Sequence, residues 1–575
     1  MALIERYCPR VEFASQEDFE ANFRITVPDD FNFAHDVVDW YAEHEPDRTA
    51  LVWANDRDDE LVLDFRELCR RADQTANFFK SRGIGKGDAV MLCLKGRWHF
   101  WTCLVALHKL GAIAVPATHM MQTKNVIYRL DKLNFKMILA ASESTLMANI
   151  KEAIAETGKD IAVMSVDGEV EGWEDFNRLT DAMPGAFARP PKGSPEATLP
   201  HEYMLLYFTS GTAGFPKMIQ FDHVYPLAHI STARFWLENY DGGLHYTVAD
   251  TGWAKCAWGK IYGQWLCGAP VFAYDYDAFD ANGMMAKIAK YRVNTFCAPP
   301  TVYRLMIREN LSGHDLSGLK YCCVAGEPLN PEVYDRWLEK TGLKLHEAYG
   351  QTESVVSVAN TRWVEPKPGS MGKPMPIYDI KLLGADGTFC ERGETGEIVI
   401  RADRQNPPPG LFRGYRDDEE LTVSTWHDGW YHTGDLAWMD EDGFLWFVGR
   451  ADDLIKTSGY RVGPFEVESA LMQHPGVLEC AITGVPDPIR GQVIKATIVL
   501  TRACRAPEGA APRERAEYYK KLTKEIQEHV KRTTEPFKYP RVVEFVTELP
   551  KTISGKIRRV QIRRTDDLKA AGEED

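Results

Sequence analysis

The chain has 575 residues, of which 44% are hydrophobic and 26% charged, and it carries a formal net charge of −15. This length is too great for a single core, so we expect a large multi-lobed body and at least one further domain. The negative charge argues against non-specific nucleic-acid binding, because phosphates would be repelled over most of the surface.

The cysteines and the hydropathy of the chain further limit the class of protein to which it can belong. The twelve cysteines are scattered along the chain and form no C-x-x-C pair, so neither a disulfide framework nor a zinc site is indicated. The N-terminus lacks the apolar segment of a secretory signal, and no apolar run reaches the roughly 20 residues of a membrane span. These features predict a soluble, cytoplasmic protein.

Strand-like and helix-like segments alternate in the first 200 residues. The strand-like runs are 51–53, 89–92 and 137–140, and the helical stretches are 65–81 and 124–133. Such alternation is typical of parallel α/β layers. Residues 1–50 are acidic and aromatic, and we expect them to wrap this first lobe.

An apolar strand at 204–208 then breaks into a loop of hydroxyls, glycines and one lysine. Glycines let backbone N–H groups approach an anion, hydroxyls donate hydrogen bonds, and the lysine adds charge, so the loop is suited to phosphate. The candidate ligands are Thr209, Ser210, Gly211, Thr212, Gly214 and Lys217. Their spacing excludes a Walker A loop. An ordinary turn after a strand is the alternative interpretation.

The α/β pattern resumes after this loop. Helices are predicted at 226–239 and 280–291, and strands at 269–273 and 319–327. From about residue 370 the chain changes to short strands and turns, including a hairpin at 438–448, which predicts a small β-barrel-like lobe.

The pattern changes again beyond residue 451. A helix is predicted from Pro464 to about 473, strands at 480–482 and 493–500, and an amphipathic helix at 513–532. These roughly 120 residues of mixed α and β structure are expected to form a separate domain.

Four further segments carry groups that suit a nucleotide. Tyr349–Glu353 combines an aromatic ring with a carboxylate suited to Mg²⁺, and Tyr431–Asp435 ends in an acid that can accept bonds from ribose hydroxyls. Gly449–Arg461 mixes a cation with glycine turns, and Pro550–Arg559 is basic in an acidic chain. Taken alone, the first of these segments is also consistent with a helix-capping turn, the second with a β-turn, and the last with a solvated basic tail.

Together with the loop at 209–217, these four segments resemble, in order, the core motifs of the adenylate-forming superfamily. This superfamily contains acyl-CoA synthetases, peptide-synthetase adenylation domains and beetle luciferases. The resemblance covers about residues 30 to 565 and is strongest to the medium-chain and branched-chain acyl-CoA synthetases, through 456–464 and 538–541. One departure is Ala213, where the family's loop usually carries a second Ser or Thr.

The resemblance implies a fold of two domains. An N-terminal adenylation domain, 1–451, would contain two α/β lobes and the β-barrel-like lobe. A small, mobile α+β domain, 452–575, would rotate about a hinge at Asp452.

The resemblance also implies roles for residues of the ATP site. Lys556 would neutralise charge at the α-phosphate, and Arg461 with the 209–217 loop would hold pyrophosphate. Glu353, with Thr209, would hold Mg²⁺, and Asp435 with Arg450 would bind the ribose. The remaining positions implied for ATP are Gly326, Glu327, Pro328, Ala348, Tyr349, Gly350, Gln351 and Thr352.

Coenzyme A and the acid are the other implied partners. The positions implied for coenzyme A are Gln122, Ser458, Gly459, Tyr460, Arg490, Lys531, Tyr539, Pro540 and Arg541. Trp253, Lys255, Trp258 and Gly350 are predicted to line the acyl pocket. In acetate-specific members a tryptophan replaces Gly350, so glycine is expected to leave the pocket open to a medium, branched or aryl acid.

The function predicted on this basis is AMP-forming acyl-CoA synthesis through an acyl-adenylate. Alternatives are an adenylating enzyme that loads a carrier protein in trans, a luciferase-like oxidase, and a nucleotide-binding regulator without activity. Intact Lys556, Glu353 and Asp435 argue against the last of these. The sequence does not distinguish a monomer from a homo-oligomer.

Overall fold

The computed structural model describes residues 2–209, 216–458, 460–507, 509–551 and 556–571. The strands of these residues form four sheets, of nine, seven, five and five strands. Numbered in chain order, the strands of the two largest sheets are β1 Thr49–Asn55, β2 Glu60–Asp64, β3 Ala89–Cys93, β4 Ile113–Pro116, β5 Phe135–Ala140, β6 Ala162–Ser165, β7 Glu174–Asp175, β8 Tyr203–Thr209, β9 Lys217–Asp222, β10 His245–Thr247, β11 Val271–Asp275, β12 Thr295–Ala298, β13 Tyr321–Ala325, β14 Leu345–Tyr349, β15 Val358–Ala359 and β16 Lys373–Pro374.

The two smaller sheets follow in the chain. Their strands are β17 Ile380–Leu383, β18 Thr395–Arg401, β19 Trp426–His427, β20 Trp430–Met439, β21 Leu445–Arg450, β22 Ile455–Thr457, β23 Tyr460–Val462, β24 Val477–Asp487, β25 Gly491–Leu500 and β26 Val542–Val546. The first of these sheets is antiparallel throughout, and in the second only β26 runs parallel to its neighbour, β25.

Helices cover the sheets. In chain order they are α1 Gln16–Asn22, α2 Trp40–His44, α3 Phe65–Ser81, α4 His99–Leu110, α5 Thr123–Lys132, α6 Ser144–Thr157, α7 Phe176–Asp181, α8 Tyr225–Phe235, α9 Ala254–Gly259, α10 Tyr262–Leu266, α11 Ala281–Lys290, α12 Pro300–Met306, α13 Pro331–Thr341, α14 Glu419–Thr425, α15 Pro464–Met472, α16 Pro512–Thr533 and α17 Arg559–Ala571. A π-helical segment, Ala34–Asp39, leads into α2.

Local sequence explains several of these boundaries. The Asp64 carboxylate accepts a hydrogen bond from the Glu67 backbone N–H at 2.7 Å, which caps the start of α3. Pro464 begins α15 at the first helical position, as predicted. Helix α8 ends at Phe235, four residues before the predicted end at 239, because Glu238 adopts a left-handed φ of +52° that no helix can continue.

The two largest sheets are the two predicted α/β lobes. The nine strands lie in the order β16-β15-β14-β13-β12-β10-β11-β1-β2 and the seven in the order β7-β6-β5-β3-β4-β8-β9. Strands β14, β13, β12, β10, β11 and β1 pair in parallel, and the outer strands are antiparallel. Parallel strands buried on both faces are typical of doubly wound α/β folds. The predicted mixed α/β architecture, with a larger N-terminal and a smaller C-terminal domain, is therefore confirmed.

Among the described residues, none of the helices is both long enough and apolar enough to serve as a membrane span.

Candidate active site

The carboxyl ends of β13 and β14 meet at one edge of the nine-stranded sheet, because the strands are parallel and Ala325 pairs with Ala348. Gly326-Glu327-Pro328 follows the first strand, and Tyr349 ends the second. Gly326 is exposed, with a left-handed φ of +109° and open space where a side chain would begin. Open α/β sheets bind ligands outside the carboxyl ends of their strands. The structure thus brings two predicted nucleotide segments to the expected edge.

Asp435 is the centre of a buried polar network beside this edge. Its Oδ2 accepts hydrogen bonds of 2.6 Å from the Tyr349 hydroxyl and from Gln351 Nε2. Arg450 Nη1 lies 3.5 Å from Asp435 Oδ1. Burial raises the pKa of Asp435, and the positive charge of Arg450 opposes that rise. Four predicted ATP-site residues from three separate segments therefore share one network.

A second contact joins the phosphate loop to the carboxylate predicted to hold metal. Strands β8 and β9 form a hairpin whose last pair, Thr209 and Lys217, brackets the loop. Lys217 Nζ lies 4.9 Å from the ring centroid of Tyr415, and the Tyr415 hydroxyl donates a 3.0 Å hydrogen bond to Glu353 Oε1. Tyr415 therefore connects two predicted motifs. The predicted ligands Ser210, Gly211, Thr212 and Gly214 lie outside the described residues.

Lys556 comes from the small domain, yet its charge acts on groups of the large one. Burial lowers the pKa of Lys255, and the Lys556 ammonium adds to that lowering. The same ammonium opposes the burial-induced rise of the Asp435 pKa. Lys255 Nζ donates a 2.8 Å hydrogen bond to the Ala325 carbonyl at the end of β13. Lys556 is thus close enough to the sheet edge for its charge to act there.

Gly350 and Trp258, both predicted to line the acyl pocket, lie against each other. A Cβ added at Gly350 would lie 2.6 Å from Cη2 of Trp258 and 3.0 Å from its Cζ2. The indole of Trp258 therefore occupies the space beside the glycine. Trp253 caps α9, the short helix that carries Lys255 and Trp258.

Two other predicted ATP-site residues, Ala348 and Thr352, lie on either side of Gly350 in the turn after β14. Ala348 is buried on β14, and Thr352 is half-buried just after it.

Arg461 is not brought to this edge in the described arrangement. It lies on β23, opposite Lys456 of β22, with an exposed side chain. The predicted hinge, Asp452, lies between β21 and β22 and accepts a 3.4 Å hydrogen bond from Arg450 Nε. Arg461 therefore belongs to the small domain, which follows this connection in the chain.

Most residues predicted for coenzyme A cluster on the small domain. The Tyr539 ring has Lys531 Nζ at 4.4 Å and the Arg541 guanidinium carbon at 4.8 Å. The Pro540 carbonyl accepts a bond from Gln527. The Ser458 N–H donates to the Arg490 carbonyl at 3.1 Å.

Tyr460 stacks on Phe537 with ring centroids 4.1 Å apart. Gly459 lies outside the described residues, and Gln122 lies apart from the cluster, at the N-cap of α5. The cluster presents aromatic rings and cations together, which suits an adenine and phosphates.

Sequence reasoning missed Tyr415 and Glu347. Glu347 is buried on β14, and its Oε1 accepts a 3.1 Å hydrogen bond from the Leu329 N–H, which holds the turn after Gly326. Burial raises the Glu347 pKa well above its usual range. Its position two residues before the predicted segment Tyr349–Glu353 was a usable signal for Glu347. Tyr415 lies 62 residues from Glu353, and no local pattern marks it.

The sequence profile of the AMP-binding enzyme family matches residues 38–416, and that of the AMP-binding enzyme C-terminal domain matches residues 466–556. The chain belongs to the AMP-binding enzyme family. Among named relatives it is 38% identical to acyl-coenzyme A synthetase ACSM3, mitochondrial, of Rattus norvegicus, over 96% of this chain and 94% of that protein. It is 40% identical to the human acyl-coenzyme A synthetase ACSM4, mitochondrial, over 95% and 93%.

Solved structures give the same family. The anthranilate CoA ligase AuaEII, crystallised in complex with anthranoyl-AMP, superposes with a TM-score of 0.84 at 28% identity, covering 95% of this chain and 99% of that one. The acyl-CoA synthetase of Brucella canis superposes with a TM-score of 0.71 at 29% identity, covering 97% and 99%. The predicted membership of the adenylate-forming superfamily, with medium-chain acyl-CoA synthetases among its relatives, is confirmed.

Proposed function

We propose that this protein is an ATP-dependent, AMP-forming acyl-CoA synthetase for a medium-chain, branched or aryl carboxylic acid. In the first half-reaction a carboxylate oxygen attacks the α-phosphorus of ATP, the bond to the β-phosphate oxygen breaks, and pyrophosphate leaves. In the second, the sulfur of coenzyme A attacks the acyl carbon, its proton is released, and AMP leaves. The full-length similarity to named acyl-CoA synthetases supports this reaction class.

The observation that carries the proposal is the position of Lys556. A carboxylate and a triphosphate repel each other, so their approach needs positive charge where the new P–O bond forms. Lys556 acts electrostatically on both Lys255 and Asp435 at the sheet edge. We assign Lys556 to the α-phosphate and the attacking carboxylate. Lys255, beside it, would add a second positive charge.

The network around Asp435 suits the sugar of the nucleotide. A carboxylate held by Tyr349 and Gln351 has its orientation fixed before ligand binds. A pre-oriented acceptor loses little entropy on binding the two ribose hydroxyls. Gly326 and the neighbouring turn would border the adenine, since no side chain occupies the space above the glycine.

Mg²⁺ would be held by Glu353, with Thr209 beside the phosphate loop. One carboxylate and one hydroxyl are too few for a protein-only magnesium site, but they fit a site in which phosphate oxygens supply the remaining ligands. Among the described residues, the one group of potential ligands close enough to share an ion is Asp39, Cys69 and Asp73. Lys109 forms ion pairs with both of those carboxylates, so that group does not suit a cation. When bound, Mg²⁺ would neutralise phosphate charge.

The positions of the predicted residues favour a small domain that works in two orientations. Lys556 acts at the sheet edge, whereas Arg461 and the cluster around Tyr539 lie elsewhere on the small domain. We propose that Asp452 is the hinge. Once the adenylate has formed, the small domain would rotate about it, so that Lys556 leaves the sheet edge and the turn at 458–460 takes its place. The Tyr539 cluster would meet coenzyme A in the second orientation. The role proposed for Arg461, to hold pyrophosphate, belongs to the first half-reaction, in which pyrophosphate leaves.

The acyl group would be limited by Trp258. Its indole fills the space beside Gly350, so a long straight chain meets an aromatic wall while a short branched or flat acid can stack against it. Trp253 and Lys255 come from the same short segment and would complete the pocket.

The cytoplasmic location predicted from the sequence remains a prediction, since the named relatives are called mitochondrial.

The test is a screen of carboxylic acids that vary in length, branching and aromaticity. Acid-dependent exchange of label between pyrophosphate and ATP reports the first half-reaction, and coenzyme A-dependent release of AMP reports the second. We expect a branched or aryl acid to give both pyrophosphate exchange and coenzyme A-dependent release of AMP. Exchange without coenzyme A-dependent AMP release would favour a carrier-loading enzyme, and neither signal with any acid would favour a regulator without activity.

A further inference from the structure

The end of strand β21 and the start of helix α15 lie against each other on opposite sides of the connection at Asp452. Phe447 of the strand and Phe465 of the helix contact edge-on, with ring centroids 6.3 Å apart. A Cβ built at Gly449 would lie 3.2 Å from Cδ of Pro464. A short segment of the large domain before the connection therefore packs on a short segment of the small domain after it.

Gly463 makes the tightest contact across this interface. A Cβ built on it would lie 2.8 Å from Cγ1 of Val448 and 3.0 Å from the Val448 carbonyl carbon, and closer still to the carbonyl oxygen. Its φ of −76° and ψ of 135° are extended values that any residue can adopt. The close approach of Val448, and not the backbone conformation of Gly463, therefore requires a glycine here. Gly449 differs, because its φ of +155° would strain a side chain in any orientation.

The two sides of this interface are fixed to different domains. Strand β21 pairs with β20 in the antiparallel sheet of the large domain. Helix α15 is held in the small domain, where Glu468 accepts a 2.9 Å hydrogen bond from the Ile482 N–H of β24. Among the glycines that the structure describes, Gly449 and Gly463 are those whose nearest neighbours lie across the connection. Rotation of the small domain about the proposed hinge must therefore separate Gly463 from Val448.

We propose that Gly463 is a positioning residue for adenylate formation, because its lack of a side chain lets the small domain pack on β21 with Lys556 at the sheet edge. This inference rests on the proposed function, since it takes the two half-reactions and the two orientations from there. The Val448 carbonyl belongs to a paired strand and cannot turn aside as a flexible side chain can. A methyl group at 463 would therefore displace the small domain, and Lys556 with it. In the second orientation the methyl group would no longer face Val448.

Gly463→Ala, measured in both half-reactions on the full chain, tests this role. A displacement of about 1 Å at a reacting group can lower a rate about a hundredfold, so we expect acid-dependent ATP–pyrophosphate exchange to fall by that factor. Thioester formation from supplied acyl-adenylate should stay within a few-fold of wild type. Gly476→Ala is the matched control, because a Cβ there would lie 3.1 Å from His474 Nδ1 and 3.3 Å from Cys504 Cβ, both within the small domain.

Phe465→Ala is a second variant that removes a contact across the interface without adding bulk. Phe465 is half-buried, whereas Val462 and Val467 on either side of it belong to the small-domain core, so that core is retained. Loss of the contact with Phe447 should lower exchange about threefold to tenfold and leave thioester formation unchanged.

The deciding readout is the ratio of the exchange rate to the thioester rate. A ratio that falls in Gly463→Ala and not in Gly476→Ala supports the proposal. An unchanged ratio in Gly463→Ala, or an equal fall in Gly476→Ala, overturns it. If Gly463→Ala does not fold, the ratio in Phe465→Ala decides in the same way. Wild type without acid-dependent exchange would mean that the proposed function itself fails, whatever the substitutions do, so the two failures are distinguished.

Discussion

The indole of Trp258 lies directly against Gly350, so that a Cβ at the glycine would be 2.6 Å from Cη2. The glycine thus admits a wide aromatic side chain from α9. In the proposed acyl pocket, Gly350 and Trp258 together, rather than the glycine alone, would set the length of the acid that fits.

Replacing Trp258 with leucine should lengthen the accepted acyl chain. Removing most of the ring opens space beside Gly350, and each additional methylene that fits is worth roughly 1–3 kcal/mol. We expect kcat/KM for acids two or three carbons longer to rise by about tenfold or more, measured as AMP release. The matched control is Trp337→Leu, at a buried tryptophan of α13 that packs against Tyr303 and is not assigned to the acyl pocket. Equal shifts in both variants, or none in Trp258→Leu, would place the end of the pocket elsewhere.

Gly350→Trp is expected to be inactive toward bulky acids as a single change, because the new ring collides with Trp258. The double variant Gly350→Trp with Trp258→Gly restores the space and should recover activity, with preference moved toward acetate. Acid profiles of the single and double variants test this. Activity of the single variant equal to wild type would contradict the contact.

The hydrogen bond from Tyr349 to Asp435 predicts a binding defect specific to ATP. In Tyr349→Phe the carboxylate keeps Gln351 and Arg450 but loses one of two 2.6 Å bonds. A hydrogen bond to a charged group is worth about 1.5–3 kcal/mol, so KM for ATP should rise at least tenfold with KM for the acid unchanged. Tyr431→Phe removes only a 2.8 Å bond to Gln351 Oε1 and serves as the control. A larger effect in the control would contradict the assignment.

Buried histidines predict loss of stability in mild acid. Burial lowers the pKa of His223, His229 and His245 to about 3, and of His99 and His346 to about 4. Their folded-state pKa values lie below the unfolded value of about 6.5, so their contribution is complete above pH 6.5 and is lost as pH falls toward 4. Each adds about 1.4 kcal/mol per pH unit to the slope of unfolding free energy below pH 6.

Urea unfolding between pH 5 and 7.5 measures this slope. Carboxylates with lowered pKa values, such as Asp39 and Asp167, act in the same direction but at lower pH. In the double variant His223→Phe with His229→Phe, unfolding should take up roughly two fewer protons, which lowers the slope of unfolding free energy against pH. Both rings are buried, and their nitrogens lack hydrogen-bond partners among the described residues. An unchanged slope in the double variant would show that these two histidines do not control acid stability.

The sequence predicted the elements more accurately than their arrangement. Helix α3 matches its predicted range because a strong apolar periodicity follows an Asp cap. Helix α8 ends at Phe235, before the left-handed residue Glu238, whose φ the apolar periodicity does not reveal. Strand order is set by long-range pairing, such as β1 beside β11, about 220 residues apart, and no local pattern encodes it. The motifs predicted which segments would meet at the nucleotide edge. They did not predict the connections between those segments, such as Tyr415 between Lys217 and Glu353.

The proposed function requires Lys556 to extend from the small domain to the site of adenylate formation. A comparison of Lys556→Ala with wild type in the two half-reactions examines this requirement, with Lys551→Ala as a control at a lysine that pairs with Glu479. We predict that Lys556→Ala lowers acid-dependent ATP–pyrophosphate exchange by at least about a thousandfold while leaving thioester formation from supplied acyl-adenylate within a few-fold of wild type. Equal losses in both half-reactions, or exchange unaffected by the substitution, would contradict the account.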